Sequence, residues 1–284
     1  MVKTKLVILL ILGLCPPLMV SPAFGQGSGN DEAELTALIP KIGRELPNLG
    51  FKTVRGIFRD PNCRGVFNEV GVVYPSNTGS RALDQRLQNE ARTFFREGAD
   101  NENFESNDCP GPDELPSRNY ETSRYFSAYS SSRDYISIFT SDTAFGIGAA
   151  HPMHGYNSLN YNIKTDQVVE IRDLFPRTEE SLARIWPTLA KLWCTKYNQD
   201  TLPGYYKIPE GYSCSSKNIP LPEQFRAGTN LAFDALGVAY LTRKGLVVML
   251  DPYLGWSYST GPIEVLLPKE LLIRAGATRE FWGD

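Results

Sequence analysis

Residues 134–145 read DYISIFTSDTAF, and their side chains alternate in the manner of a β-strand. Residues 120–132 alternate in the same way, and serine and tyrosine occur in both segments. We therefore predict two strands of one sheet, with one side of that sheet solvated. The alternation places one set of side chains on one face of the second strand: Tyr135, Ser137, Phe139 and Ser141. The opposite face carries Ile136, Ile138 and Thr140.

The segments on either side predict an α+β fold. Residues 80–98 have a helical apolar stripe, which Ser80 can cap and Gly98 can end. Residues 178–197 have a second such stripe. Further strands are predicted at 51–58, 66–74, 156–163, 168–171, 230–235, 238–242, 246–250 and 263–267. We expect an antiparallel or mixed β-sheet with two main helices packed on it, together with two disulfide-stapled loops.

The first 25 residues have the features of a cleavable signal peptide. Two lysines provide a positive start, residues 6–14 form an unbroken apolar run, and the small residues Ala23 and Gly25 suit signal peptidase. We therefore expect the mature protein to be periplasmic or secreted.

Two alternatives to an ordinary cleavable signal peptide have less support in the sequence. An uncleaved anchor would need about 20 apolar residues to span a bilayer, and this run is shorter. A lipoprotein at Cys15 would need a small residue before the cysteine, whereas Leu14 is large.

Charge and hydropathy exclude some partners. The chain has 29 basic and 32 acidic residues, and loss of Lys3 and Lys5 with the signal peptide leaves 27 against 32, a net charge near −5. Such a balance argues against a nucleic-acid surface, which needs a basic stripe. No second long apolar run follows, so we expect no membrane span after signal cleavage.

Cysteine usage agrees with export. Without Cys15 an even number remains, which predicts two disulfides in an oxidising compartment. Three pairings are possible. We favour Cys63–Cys109 with Cys194–Cys214, because each bond would tie a long polar loop to the regular structure beside it.

Several stretches of the chain resemble one family. They read GIGAAHP at 146–152, SLNYNIKTDQVVEIRDLF at 158–175, NLAFDALGVAYLTRKGLVVMLDPYLG at 230–255 and GPIEVLLPKELL at 261–272. In this order they resemble the RsiV-type extracellular domain, a domain of unknown function found in secreted proteins, anti-sigma factor ectodomains and peptidoglycan deacetylases. VVYP at 72–75, with the helix after it, is similar to the smaller domain that usually precedes it.

The resemblance implies an α+β fold and a role in cell-envelope surveillance, including binding of lysozyme. The sigma-binding and deacetylase roles are not carried over, because those segments have no counterpart in the sequence. We therefore expect four segments. Residues 1–25 form the signal peptide, and residues 26–50 form a linker with a short helical segment. Residues 51–132 form the smaller N-terminal α+β subdomain, and residues 133–284 form the RsiV-type C-terminal domain.

No catalytic residue, metal ligand or cofactor site is predicted. His151 and His154 could join a metal site, but Pro152 lies between them, and a hydrogen bond of His151 within its turn is the simpler interpretation. No GxSxG motif occurs. Carboxylates are plentiful, and nothing in the sequence fixes two of them at a glycosidase distance: Asp142, Glu170, Asp173 and Asp251.

Aromatic residues are the better indication of binding, because exposed rings can stack on sugars or anchor a protein. The candidate binding residues are His151, Tyr156, Tyr161, Tyr253, Trp256 and Tyr258. The leading hypothesis is an exported module that recognises a peptidoglycan component or a protein such as lysozyme. A cell-wall hydrolase that uses carboxylates or His151, and a structural envelope protein without a small ligand, are the alternatives.

Overall fold

A computed structural model of the chain describes residues 49–60, 66–100, 120–146, 149, 151–197, 210–217, 220, 238–250 and 262–283. Three α-helices lie within these residues: α1 Arg81–Asp100, α2 Thr178–Tyr197 and α3 Lys269–Arg274. The strands are β1 Gly50–Arg59, β2 Phe67–Ser76, β3 Tyr120–Ser130, β4 Tyr135–Phe145, β5 Met153–Asn162, β6 Gln167–Val169, β7 Val238–Thr242, β8 Gly245–Leu250 and β9 Ile263–Pro268.

The described strands form two sheets. Six strands make a mixed sheet in the order β1 to β6, in which β2 pairs antiparallel with β1 and parallel with β3. The other three make an antiparallel sheet in the order β7-β8-β9. The predicted α+β class with a mixed sheet is confirmed.

Contacts in space divide the chain into two compact units. Among the described residues, the first unit comprises 49–127 and 140–155, and the second comprises 128–139 and 156–283. Neither unit is one continuous stretch of chain. The division expected between residues 132 and 133 stays a prediction.

In the first unit, α1 packs on β2 through its predicted apolar stripe. Leu83, Leu87 and Ala91 are buried, as are Val70 and Val72 of the strand. The apolar period of about 3.6 residues in the helix and two in the strand places these side chains in one layer. The stripe read from the sequence is therefore the buried face of α1.

The two ends of α1 differ in how well they were predicted. Ser80 accepts a hydrogen bond from the Leu83 N–H at 3.0 Å, which confirms the predicted cap. Gly98 does not end the helix, which runs to Asp100. A Cβ at position 98 would lie 2.9 Å from the Val70 side chain, so this glycine permits close packing of helix and strand. Its carbonyl accepts a hydrogen bond from Asn68 Nδ2 at 2.9 Å.

In the second unit, α2 buries its stripe against the three-stranded sheet. Leu182, Ile185, Leu189 and Trp193 of the helix belong to the same buried cluster as the inward residues of the strands. Those strand residues are Ala239, Leu241, Leu246, Val248, Ile263, Val265 and Leu267. Side chains alternate between the two faces of a β-strand, so Tyr240 and Glu264 lie on the opposite face of the three-stranded sheet.

A disulfide joins Cys194 of α2 to Cys214, with the two Cα atoms 5.5 Å apart. This is one of the two predicted bonds, and it ties the helix to the polar segment at 210–217. Cys63 and Cys109 lie outside the described residues, so their pairing stays a prediction.

The sheet side predicted to be solvated is covered at β4 and β5. Ser137 and Asn160 are only 1% and 5% exposed. Together with Ser158 they bond to the outward edge of β7. Asn160 Nδ2 and Ser158 Oγ donate to the Ala239 carbonyl at 3.0 and 2.8 Å, and the Leu241 N–H donates to Ser137 Oγ at 2.9 Å. These three side chains, here called the β7 cap, satisfy backbone groups that a neighbouring strand would otherwise bind.

The turn between β7 and β8 depends on glycine. Gly245 has a φ of 147°, and a Cβ built there would lie 1.9 Å from the Leu267 carbonyl oxygen of β9. Glycine is the one residue that tolerates both the positive φ and this approach.

Candidate functional site

The structure places His151 on the surface, in the turn before β5. In the tautomer that carries the proton on Nδ1, its ring donates to the Pro152 carbonyl at 3.1 Å. The neighbouring His154 lies with Nδ1 3.2 Å from the Thr143 hydroxyl. The hydrogen bond within the turn, which the sequence suggested for His151, is thus present.

The predicted tyrosines have different surroundings. Tyr161 is 4% exposed and donates through its hydroxyl to Asp166 Oδ1 at 3.4 Å, so it packs in the interior and offers no surface for stacking. Tyr156 is half-buried. The remaining candidates, Tyr253, Trp256 and Tyr258, lie outside the described residues.

Tyr156 belongs to a row of four aromatic rings in the second unit, which the sequence did not reveal. It stacks on Phe139, with ring centroids 6.0 Å apart, and Phe139 lies 5.4 Å from Tyr240. Tyr129 stacks on the other side of Tyr240 at 4.6 Å. Tyr240 is buried and the other three rings are partly accessible, so the row is both a packing element and an aromatic surface.

A carboxylate lies at the buried ring of this row. Tyr240 donates through its hydroxyl to Glu264 Oε1 at 3.4 Å, and Lys196 Nζ donates to the Glu264 backbone carbonyl at 2.9 Å. Burial raises the pKa of the Glu264 carboxyl, although the Lys196 charge and the Tyr240 hydroxyl act in the opposite direction. Burial, followed by the Glu264 charge, raises the pKa of Tyr240 well above 10.0.

The raised pKa of Glu264 predicts that the stability of the fold depends on pH, and that the Glu264→Gln variant lacks this dependence. Because the folded pKa of Glu264 lies above its ordinary value of 4.5, stabilisation is complete below about pH 4.5 and is lost as pH rises through the folded pKa. Gln cannot ionise, so the variant should gain stability relative to the parent chain as the pH rises above about 4.5, and the gain should level off once the pH has passed the folded pKa of Glu264. Urea unfolding across this range measures the difference. Glu179→Gln, on the exposed surface of α2, is the matched control, and a constant difference for Glu264→Gln would contradict the prediction.

The described carboxylates that the hydrolase hypothesis would use are engaged in ion pairs or hydrogen bonds. Asp142 binds the Arg124 guanidinium through both oxygens at 2.6 Å. Asp173 accepts from the Glu170 N–H at 2.8 Å, and the Glu170 carboxylate pairs with Arg172. Asp251 lies outside the described residues. These contacts give the three described carboxylates structural partners.

Arg124 also borders a shallow groove of about 520 Å³ on the solvent side of α1. Its guanidinium lies 4.3 Å from the centre of the Phe94 ring, and the hydrogen bonds that it donates to Asp142 raise the pKa of the arginine. Four other polar groups of the groove are bonded in pairs, since Gln85 donates to Asn89 and Arg86 to Glu90. Most polar side chains of the groove are therefore engaged with one another, which indicates a structural role.

The sheet of the first unit has one face that α1 does not cover. Paired residues of neighbouring strands share a face, and this one contains the exposed side chains of Phe51, Ile57 and Tyr125, at 42%, 66% and 45%. At its centre, a Cβ added to Gly71 would have no heavy atom within 4 Å. We call this surface the open face: Phe51, Thr53, Arg55, Ile57 and Arg59 of β1, Phe67, Glu69, Gly71 and Val73 of β2, and Glu121 and Tyr125 of β3. Pro75 and Ser123 lie on the same side of the sheet and are buried.

The open face concentrates exposed apolar groups. Six large hydrophobic side chains are exposed among the described residues, and three of them lie on this one surface. Several exposed apolar side chains on one sheet surface, interspersed with charged residues, are a feature of binding surfaces. Within the described ranges, no group of three or more His, Cys, Asp and Glu side chains is arranged to hold a metal ion. None of the described helices is long and apolar enough to cross a membrane.

Comparison with known proteins identifies the fold. A DUF3298 family protein from Pseudomonas aeruginosa PAO1 superposes with a TM-score of 0.53 at 16% sequence identity, covering 82% of this chain and 96% of that one. The two chains share a fold. A member of the same family from Bacteroides fragilis NCTC 9343 gives a TM-score of 0.45 at 13% identity, with the same coverage. No protein-family model matches the sequence, and no curated protein matches it. The RsiV-type assignment and the smaller N-terminal partner domain stay predictions.

Proposed function

We propose that this chain is an exported binding module of the cell envelope, which recognises a peptidoglycan component or a protein such as lysozyme through the open face. The observation that carries the proposal is the concentration of the exposed side chains of Phe51, Ile57 and Tyr125 on a sheet surface that α1 does not cover. Aromatic side chains at the centre of such patches supply most of the binding energy in protein interfaces.

Two further observations support export and an envelope partner. The Cys194–Cys214 disulfide is typical of proteins that fold in an oxidising compartment, which agrees with the predicted signal peptide. The resemblance to the RsiV-type domain supports an envelope role, and the DUF3298-like fold of the chain is compatible with it. The excess of acidic residues favours encounter with a basic protein such as lysozyme.

The proposal predicts that Tyr125→Ala weakens binding about 30-fold, the effect of losing a hot spot of about 2 kcal/mol. The measurement is a calorimetric titration of the mature, disulfide-intact chain with a c-type lysozyme and, separately, with soluble peptidoglycan fragments. Tyr212→Ala is the matched control, because Tyr212 is 43% exposed but belongs to the second unit. If the parent chain binds neither probe, or if both variants bind as the parent does, the proposed function is wrong.

A further inference from the structure

The outward edge of β1 differs from the sheet edge at β7. The β7 edge is satisfied by the β7 cap of Ser137, Ser158 and Asn160. The ten residues of β1 lie at one end of the six-stranded sheet and pair with β2 alone. Among the described residues no side chain or strand bonds to the other edge of β1. A row of backbone N–H and C=O groups is therefore available for one more strand.

The side chains of β1 indicate the charge of that strand. Lys52, Arg55 and Arg59 are exposed on it, and the strand has no carboxylate. Arg55 pairs with Glu69 on β2, while Lys52 and Arg59 have no ion pair among the described residues. A second copy of β1 would bring like charges together, which disfavours pairing. An acidic strand would meet Lys52 near one end of the edge and Arg59 near the other.

The apolar residues of β1 favour a peptide as the added element. Phe51 and Ile57 project from the same face at an even spacing, so alternate side chains of an added strand would lie beside them. A glycan could meet the positive charges but has no row of alternating amide donors and acceptors to pair with the edge. The hydrogen-bonding pattern thus selects an extended polypeptide.

We propose that the outer edge of β1 binds an extended, acidic segment of a partner protein, which joins the sheet as an additional strand. This inference rests on the proposed function as a binding module and specifies the chemistry of one partner. The partner's backbone pairs with β1, and a carboxylate on one face of the added strand meets Lys52. On the other face its apolar side chains contact Phe51 and Ile57, and a further carboxylate at the end of the strand meets Arg59.

The test uses synthetic peptides of nine residues in which Val and Glu alternate and a second Glu follows at the end that lies opposite Arg59, made in both sequence directions. Two further versions carry N-methyl groups on alternate amides, one on the odd and one on the even positions. In a strand pair, only every second amide of the peptide faces β1. We expect the unmethylated peptide and one methylated version to bind the mature chain, and the other version to lose binding. Fluorescence anisotropy of a labelled peptide measures this.

Charge is tested in the same assay. A peptide of alternating Lys and Val should not bind, and the double variant Lys52→Glu/Arg59→Glu should bind the acidic peptide at least about tenfold more weakly, since two attractions become repulsions. Lys191→Glu, an exposed reversal on α2 in the second unit, is the matched control and should bind as the parent does.

Four results would overturn the inference: no binding of the acidic peptide, equal binding of both methylated versions, equal binding of the lysine peptide, or self-association of the chain that the acidic peptide does not reverse. Lysozyme or peptidoglycan binding that depends on Tyr125 would leave the proposed function standing in each case. The two proposals therefore fail separately.

Discussion

Gly245→Ala is expected to lower the free energy of unfolding by about 4 kcal/mol, which is the range of severe backbone conflicts. The added Cβ would lie 1.9 Å from the Leu267 carbonyl oxygen, and the φ of 147° is unfavourable for any L-residue. Relief would require β8 to move away from β9, which would break their register from Gly245↔Pro268 onward. Urea unfolding followed by circular dichroism measures the loss.

The matched control is Gly71→Ala, in the middle of β2. A Cβ at this position meets no heavy atom within 4 Å, and glycine weakens the interior of a strand. We expect Gly71→Ala to leave the stability unchanged or to raise it slightly. Equal losses at the two positions would show that the conformation assigned to the β7–β8 turn is wrong.

Asn160→Leu is expected to cost about 3 kcal/mol, because a buried amide that satisfies backbone groups is replaced by an apolar side chain. Its Nδ2 donates to the Ala239 carbonyl, and its Oδ1 accepts from the Leu241 N–H at 3.1 Å and from the Ser137 hydroxyl at 2.6 Å. Leucine has a similar size but leaves these partners with fewer hydrogen bonds in a desolvated position. The measurement is again urea unfolding.

Asn157→Leu, three residues earlier on β5, separates this effect from a general intolerance of leucine. The Asn157 side chain is exposed and, within the part of the chain that the structure describes, accepts from the adjacent Ser158 N–H. We expect a change within about 0.5 kcal/mol there. If Asn160→Leu were equally mild, the β7 cap would contribute no net stability.

Local patterns were sufficient for most of the fold. The strand pair β1–β2 and the buried stripe of α1 follow from side-chain periods that each segment contains by itself. The Ser80 cap is equally local, since its partner is three residues away. Where the chemistry of a segment is decided within that segment, the sequence is enough.

The errors arose where a distant partner decides the outcome. Serine in an alternating strand usually indicates a solvated face, but Ser137 binds Leu241, 104 residues further along the chain. Gly98 usually indicates the end of a helix, yet here it allows contact with Val70. In both cases the residue type was read by its most frequent local use, and the tertiary partner could not be known.

The candidate site shows the same limit. The alternation of β1 places Phe51 and Ile57 on one face, which could be read from the sequence. Which face the helix would cover could not, because both faces of β1 contain apolar residues. Tyr156 was expected to be a surface ring, and only the structure shows it as one member of the four-ring row. Exposure is a property of the assembled sheet rather than of the strand.

The β7 cap also has a consequence for the order of events during biosynthesis. Its asparagine and two serines precede their partners on β7 by 79 to 104 residues. At ribosomal speeds of about 5–20 residues per second, they emerge roughly 4 seconds or more before the strand whose edge they protect. The nascent chain can therefore have its protective groups ready when the vulnerable edge appears. In a chain that refolds from its full length, the side chains of the β7 cap are not available before β7 forms. The β7 edge can then pair with another molecule until β4 and β5 reach it.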